Sequence, residues 1–218
     1  NYLRALLPVG IPPVIVPAHV NNPDSFRWVQ SHAYYQQHYL DNVNLSDNGL
    51  IYTPVLEDKV LTYLTKVVEQ DPVSIVEAID ATLESAEDRE VYRYLTELLL
   101  GNYYRVRHKA LEEYVYLHII REYYLLGKTP WAGNRQIRLL TDDYNLHKPA
   151  SILQVAPEIL LPDPEGNRQS LTGIESDYVV LIFWDYDCPY CRRALEDVSK
   201  VLQKYRDRGI VVYSVFTG

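Results

Sequence analysis

The feature that most constrains the fold is a pair of apolar runs on either side of a cysteine motif. Residues 178–184 are YVVLIFW and residues 210–216 are IVVYSVF. Continuous β-branched and aromatic runs of this length are typical of strands buried on both faces of a parallel sheet. Between them, residues 191–208 carry apolar side chains at helical spacing, and Gly209 ends that segment. The pattern predicts a β-α-β unit with two parallel strands.

The two cysteines of the chain lie at the predicted junction of strand and helix, in the motif Cys188-Pro189-Tyr190-Cys191. The first cysteine is near the helix N-terminus, where free N–H groups and the helix dipole favour a thiolate. The second follows one turn later, within reach of a mixed disulfide on the first. We therefore predict redox chemistry with Cys188 and Cys191 as the catalytic residues. The predicted supporting residues are Trp184, Pro189 and Tyr190.

Two structural uses of a CxxC motif are open alternatives. Zinc takes four ligands, and the sequence has no second CxxC or CxxH segment to complete such a site. A purely structural disulfide is possible, but it would close a very small loop, which stabilises a fold less than a long loop does. The histidines form neither an i, i+4 pair nor an HExxH motif, so we expect no metal site and no bound cofactor beyond a redox-active disulfide. The adjacent pairs Glu112-Glu113 and Asp142-Asp143 are expected on a solvated surface.

The sequence before residue 148 predicts helices. Residues 1–23 contain five prolines and predict an extended arm, because proline fixes φ and removes a hydrogen-bond donor. Residues 24–147 predict an all-α domain. In it, Thr53-Pro54 and Asp71-Pro72 each pair an N-cap residue with proline at the first helical position, and Gly127 suits a helix C-terminus. The clustered tyrosines of these helices are expected to pack in a core or interface rather than to line a peptide groove.

Composition changes after residue 147. Residues 148–155 predict a linker, and residues 156–218 a second domain that opens with a hairpin turned at 163–166. The predicted fold class is therefore an all-α N-terminal domain followed by an α/β region. A net charge of -8 argues against nucleic acid as a partner. The sequence contains no signal segment, and no apolar run approaches the ~20 residues of a membrane helix.

Several segments carry a resemblance to known families. In the last third of the chain they are APE at 156–158, Leu160, Asp163, Gly166, Ser170-Leu171, VVLIFWDYDCPYC and KYRDRGIVVYSV. Together they resemble the TlpA/ResA-like branch of the thioredoxin superfamily. Upstream, HYLDNVNLSD, TPVLEDKVLTYL and REYYLLGKTPW are similar to the helical DUF5106-type domain that precedes thioredoxin-like domains in Bacteroidetes envelope proteins.

The resemblance implies an exported thiol–disulfide oxidoreductase of the periplasm or cell envelope, often a lipoprotein. By the mechanism of that family, Cys188 attacks a disulfide of a protein or small molecule, and Cys191 resolves the mixed disulfide. Reduction is the commoner task in this branch and implies a membrane protein as electron donor. Because a whole thioredoxin-like domain has further strands, a further helix and a cis-proline loop, we expect residues 156–218 to form an incomplete thioredoxin-like β-α-β region.

Three positions depart from the patterns of the superfamily. Ile182 stands where thioredoxin has a buried aspartate, Asp187 where it has a tryptophan, and Ala194 where ResA-like proteins have a glutamate. These departures favour an alternative function: a non-catalytic peptide-binding or scaffold protein that acts through its helical domain and carries a vestigial redox domain. The oligomeric state is left open.

Overall fold

The computed structural model describes residues 32–205 and 208–218 and divides the chain into two compact units, Asn1–Gln154 and Val155–Gly218. The first unit is helical and the second is a small α/β unit, which confirms the predicted fold class. The predicted extended arm, residues 1–23, and the first residues of the predicted all-α domain, 24–31, lie outside the described residues.

The first unit contains six helices among its described residues. Residues 32–38 form α1. The others are α2 (Pro54–Thr62), α3 (Pro72–Glu84), α4 (Arg89–Val106), α5 (Ala110–Ile119) and α6 (Asn134–His147). Two of them continue as π-helical turns, α2 through Tyr63–Val67 and α5 through Ile120–Leu125. Short 3₁₀ turns at Asn48–Tyr52 and Lys148–Ala150 precede α2 and follow α6.

Local sequence chemistry explains where these helices begin and end. Proline occupies the first position of α2 and α3, as the sequence predicts. The Asp71 carboxylate accepts hydrogen bonds from two free N–H groups at the start of α3, and Asp88 does the same at the start of α4. Thr53 makes no such cap, because its hydroxyl donates to the carbonyl of Leu50. Gly127 follows the π-helical turn of α5 with a φ of 76°, a conformation that favours glycine.

One apolar core holds the helical unit together. Its largest fully buried aliphatic side chains come from the 3₁₀ turn before α2 and from α2 to α5: Leu50, Leu56, Leu64, Ile75, Ile79, Leu83, Leu95, Leu99, Ile119 and Ile120. Each contributes roughly 1.5–3 kcal/mol by leaving water. Four tyrosines are buried with them, namely Tyr103, Tyr116, Tyr123 and Tyr124. The prediction that the tyrosines pack in a core is therefore confirmed for these four, whereas Tyr104 is 49% exposed.

Helix α6 lies within the predicted all-α domain, but the sequence does not predict it as an individual helix. It lacks an apolar stripe, because only one of its residues, Leu140, is buried. Polar contacts attach it to α5 instead. The Tyr116 hydroxyl donates to Asp143 at 2.6 Å, and His147 Nδ1 lies 2.8 Å from Glu113 Oε1. The Glu113 and Asp143 side chains are only 21% and 23% exposed. The expectation that both lie on a solvated surface is therefore wrong, because each is paired between two helices.

The second unit consists of a hairpin and a β-α-β unit. Strands β1 (Leu160–Pro162) and β2 (Arg168–Ser170) form the antiparallel hairpin. Strands β3 (Tyr178–Trp184) and β4 (Ile210–Phe216) pair in parallel over seven residues, and α7 (Pro189–Lys204) connects them. The predicted hairpin and parallel pair are both confirmed. The helix begins two residues earlier and ends four residues earlier than the predicted range of 191–208.

The expectation that both strands are buried on both faces is wrong. Phe183 of β3 is 56% exposed, and in β4 only Tyr213 and Val215 are buried. The described residues supply the sheet with two strands, and no residue of α7 is buried. The small core consists of Leu171, Tyr213 and Val215, with Ile159 and Ile174 packed against it. The Tyr213 hydroxyl lies 3.2 Å and 2.9 Å from the Ile159 and Gln169 carbonyl oxygens, which ties the hairpin to β4.

A half-buried carboxylate joins α3 to α5 in the helical unit. Asp80 Oδ1 accepts a hydrogen bond from the Tyr123 hydroxyl at 2.6 Å and lies 2.8 Å from His118 Nε2. Partial burial opposes the charge of Asp80, but the hydrogen bonds from His118 and Tyr123 outweigh it and hold the pKa of this carboxyl below its ordinary value. Burial, followed by the bond to Asp80, raises the pKa of the Tyr123 hydroxyl, so this tyrosine remains a donor.

We expect Asp80→Asn to lower the free energy of unfolding near neutral pH by roughly 1 kcal/mol, a small value because the carboxylate is partly exposed. The folded-state pKa of Asp80 lies below the unfolded-state value. The stabilisation that the ionised Asp80 carboxylate provides is therefore fully present above its unfolded-state pKa. It is lost as pH falls through its folded-state pKa. Urea unfolding from about pH 5 to pH 2 should show a shallower loss of stability in the variant than in the wild type. Asp142→Asn, at an exposed carboxylate, is the control, and identical slopes in all three proteins would contradict the prediction.

Candidate active site

The first cysteine of the CPYC motif occupies the N-cap of α7. Pro189 is the first helical residue, where its missing N–H has no helical partner to lose. The Cys191 N–H donates to both Cys188 Sγ, at 3.2 Å, and the Cys188 carbonyl oxygen, at 3.1 Å. The sulfur that the sequence predicts to be nucleophilic therefore accepts a hydrogen bond at the positive end of the helix dipole, which favours its anionic form.

Cys188 and Cys191 are joined as a disulfide, and they are the only cysteines in the chain. Their Cα atoms are 5.3 Å apart, within the ordinary range for bridged cysteines. Both residues are half-buried. The pair is thus positioned to carry a disulfide on the first turn of a helix, with part of each residue open to solvent.

A tight turn places Cys188 at the end of β3. The carboxylate of Asp185 accepts the N–H of Asp187 at 3.0 Å, and its carbonyl oxygen accepts the N–H of Cys188 at 3.4 Å. Sequence reasoning did not assign Asp185 this role. The signal was present, because aspartate two residues before a turn N–H is a common turn former. Asp187, where thioredoxin has tryptophan, is exposed in this turn.

Trp184, predicted to support the motif, lies at the base of the same turn. Its indole Nε1 donates to Ser214 Oγ at 2.8 Å, and its carbonyl oxygen accepts from the N–H of Thr217 at 3.0 Å. Its ring contacts Tyr186 and Phe216, with centroids 5.5 Å and 5.0 Å away. These contacts fasten the end of β3, where the cysteine loop begins, to the end of β4.

The surface around the disulfide combines an exposed aromatic ring with positive charge. Tyr190, between the two cysteines, is 82% exposed. Arg192 and Arg193 are exposed on the first turn of α7, and neither forms an ion pair within the described ranges. The structure therefore brings together all five residues that the sequence singled out, from Trp184 to Cys191. Arg192 and Arg193 follow Cys191 directly on α7, and Asp185 and Asp187 lie in the turn before Cys188.

Residues 32–205 and 208–218 contain no group of three or more His, Cys, Asp or Glu side chains placed to hold a metal ion. Within the same ranges, no helix combines the length and apolar character needed to cross a bilayer.

Comparison with known protein families assigns both parts of the chain. Residues 11–139, more than half of the sequence, match the domain of unknown function DUF5106. The chain belongs to the DUF5106 family. Residues 152–218 match the AhpC/TSA family, and this match supports an oxidoreductase kind of activity. The resemblance stated from the sequence, a DUF5106 domain followed by a thioredoxin-like region, is thereby confirmed.

A solved structure supports the same architecture. The crystal structure of a thioredoxin-like protein from Bacteroides caccae ATCC 43185 is similar to this chain, with a TM-score of 0.62 and 20% sequence identity. The similarity covers 94% of this chain and 73% of that one. At this level of identity it shows the fold alone. The comparison with curated proteins gave no match.

In the reduced protein, we expect iodoacetamide to alkylate Cys188 at least about tenfold faster than Cys191 near pH 6, because the helix N-terminus favours a thiolate at the cap position. Peptide mass spectrometry at timed intervals would give the two rates. The single-cysteine variants Cys188→Ser and Cys191→Ser provide matched controls, since each leaves one thiol in place. Equal rates at the two positions would contradict this assignment.

Proposed function

We propose that this protein is a thiol–disulfide oxidoreductase of the cell envelope that reduces disulfide bonds through Cys188 and Cys191. The observation that carries the proposal is the position of the pair: one cysteine caps a helix that follows a parallel strand, and the other lies on its first turn. A thioredoxin-like fold and an AhpC/TSA match support redox chemistry at that position.

The reaction begins with the reduced pair. The Cys188 thiolate attacks one sulfur of a substrate disulfide, forms a mixed disulfide and releases the other substrate sulfur as a thiolate. Cys191, as a thiolate, then attacks Cys188 Sγ, which releases the second substrate thiolate and leaves the Cys188–Cys191 disulfide. Two electrons pass to the substrate, and the released thiolates take up protons from solvent.

The chain's own groups assist the first and last steps. The Cys191 N–H, which donates to Cys188 Sγ at 3.2 Å, stabilises negative charge on that sulfur when it attacks the substrate, and again when a dithiol partner resolves its own mixed disulfide with Cys188 and releases the Cys188 thiolate. Arg192 and Arg193, exposed on the same turn, add positive charge that favours thiolates. The oxidised pair returns to the dithiol by exchange with a reduced dithiol partner, which we propose to be a membrane protein.

The proposed location follows from cysteine usage. All cysteine in the chain is confined to the motif, which suits an oxidising compartment where additional thiols would mispair. The fold neighbour is a protein of a Bacteroides species, and an envelope location fits the resemblance to Bacteroidetes envelope proteins. The substrates proposed are proteins or small molecules that carry disulfides.

We expect Cys191→Ser to accumulate mixed disulfides at Cys188, because the sulfur that resolves them is gone. Incubation of the pre-reduced variant with an oxidised protein substrate, followed by non-reducing electrophoresis, should show a substrate-linked species that dithiothreitol removes. Cys188→Ser, the matched control, should trap at least about tenfold less, because the cap-position thiolate is absent.

Equal trapping by the two variants would contradict the assigned roles. Absence of trapped species in both would contradict the proposed function and would favour the alternative, a binding or scaffold protein that acts through its helical domain.

Equilibration against defined dithiothreitol buffers should show a two-electron transition of the Cys188–Cys191 pair. For a reductase we expect a midpoint nearer the ~-270 mV of thioredoxin than the ~-120 mV of the oxidant DsbA. Counting of free thiols with a chromogenic reagent gives the curve, and Cys188→Ser should show no such transition. A midpoint near the oxidant value would overturn the proposed direction of electron flow.

A further inference from the structure

The helical unit contains a cationic cavity that the redox chemistry does not use. It lies at the turn between α4 and α5 and has a volume of about 480 Å³. That volume falls within the range of small-molecule sites. Five basic side chains line it, together with one carboxylate, Glu113. The basic side chains are Arg105, Arg107, His108, Lys109 and His147.

Positive charge is concentrated here in an otherwise acidic protein. Four of the five residues in the segment 105–109 (RVRHK) are basic, whereas the chain carries a net charge of -8. Lys109 is 3.6 Å from Glu112, a weak and exposed pairing. The side chains of Arg105 and His108 make no hydrogen bond or ion pair with any residue that the structure describes. The cluster therefore has more positive charge than its described neighbours neutralise.

Arg107 is held in a fixed position beside this cavity. Its guanidinium carbon lies 3.8 Å from the centroid of the Tyr104 ring, and its Nη1 donates to the Tyr104 carbonyl oxygen at 2.9 Å. Stacking and a backbone bond restrict a side chain that otherwise has many rotamers. The remaining guanidinium donors are available for the paired oxygens of a phosphate or carboxylate.

One carboxylate, Glu113, lines the cavity and offsets part of its positive charge. Glu113 Oε1 is 2.8 Å from His147 Nδ1, and the other nitrogen of that ring is 3.4 Å from Asp143 Oδ1. The Asp143 carboxylate in turn accepts a hydrogen bond from the buried Tyr116 hydroxyl. Glu113 is thus bonded across the α5–α6 interface, and the lining retains three permanent cations, Arg105, Arg107 and Lys109, against this one carboxylate.

We propose that this cavity binds a small, multiply charged anion through phosphate or carboxylate oxygens. A singly charged anion would leave most of the cluster unneutralised, whereas a dianion or polyanion can engage Arg105, Arg107 and Lys109 together. The site lies within the helical unit and is independent of the cysteine pair.

Isothermal titration calorimetry on the whole chain at low ionic strength would test the site, with pyrophosphate and citrate as probes and acetate as the singly charged comparison. We expect saturable binding of one pyrophosphate or citrate, weaker binding as salt is added, and no measurable binding of acetate. Arg107→Gln should weaken binding at least about tenfold, because it removes the paired charge-assisted donors.

Two further variants keep the test decisive. Arg105→Gln changes an exposed side chain and should weaken binding without affecting the fold, even if Arg107→Gln lowers stability. Arg89→Gln alters an exposed arginine at the opposite end of α4 and should bind as the wild type does. Absence of saturable polyanion binding would overturn the proposal, as would equal weakening by Arg89→Gln.

Vesicle co-sedimentation distinguishes a free anion from a lipid head group. Lipid phosphate is supported as the source if the protein binds vesicles that contain phosphatidylglycerol but not vesicles of phosphatidylcholine alone. In that case pyrophosphate should displace the protein from the vesicles, and Arg105→Gln should weaken its binding to them. Binding of pyrophosphate without vesicle binding would support a soluble ligand. Vesicle binding that neither pyrophosphate nor Arg105→Gln reduces would overturn the assignment to this cavity.

Discussion

The parallel pairing of β3 with β4 is the constraint on which the second unit depends. Parallel neighbours cannot be joined by a tight turn, so the chain must leave the end of β3, cross over as a helix and return to the start of β4. The seven-residue register fixes where that crossover begins. It also brings the ends of both strands together, so that Trp184 can bond to Ser214 and contact Phe216. The cysteine pair is therefore positioned by the backbone hydrogen bonds between the two strands together with the turn from Asp185 to Cys188.

In the helical unit, hydrogen bonds from tyrosines to carboxylates link the helices in addition to the apolar core. Tyrosines pack their rings among leucine and isoleucine and donate their hydroxyls to carboxylates on other helices, as Tyr116 does to Asp143 and Tyr123 to Asp80. A phenylalanine could fill the same volume but could not make these bonds. This gives a physical reason for tyrosine rather than phenylalanine at positions 116 and 123. Each such bond fixes the rotation of one helix against another, which apolar contacts alone specify less sharply.

Local patterns were sufficient to predict much of this fold and part of its candidate site. The β-branched runs, the proline after Cys188 and the capping residue Asp71 act over a few positions, so their effects are visible in the sequence. The exposure of β3 depends instead on which elements cover the sheet. A run of apolar residues in the sequence does not indicate which elements those are. Helix α6 was missed for a related reason. It is attached through Asp143 and His147 rather than through an apolar stripe, and polar pairs between helices leave no periodic signal.

The disulfide spans only four residues, and this short span bears on the proposed cycle of oxidation and reduction. Such a bond removes less conformational freedom from the unfolded chain than a bond that closes a long loop. The part of the folding free energy that comes from chain entropy therefore changes less between the oxidised and reduced forms than it would for a long-range disulfide. Cys188 and Cys191 both lie at the start of one helix, so making or breaking their bond leaves the connections between distant segments unchanged. The fold can therefore serve as a constant scaffold while the sulfur pair changes its oxidation state.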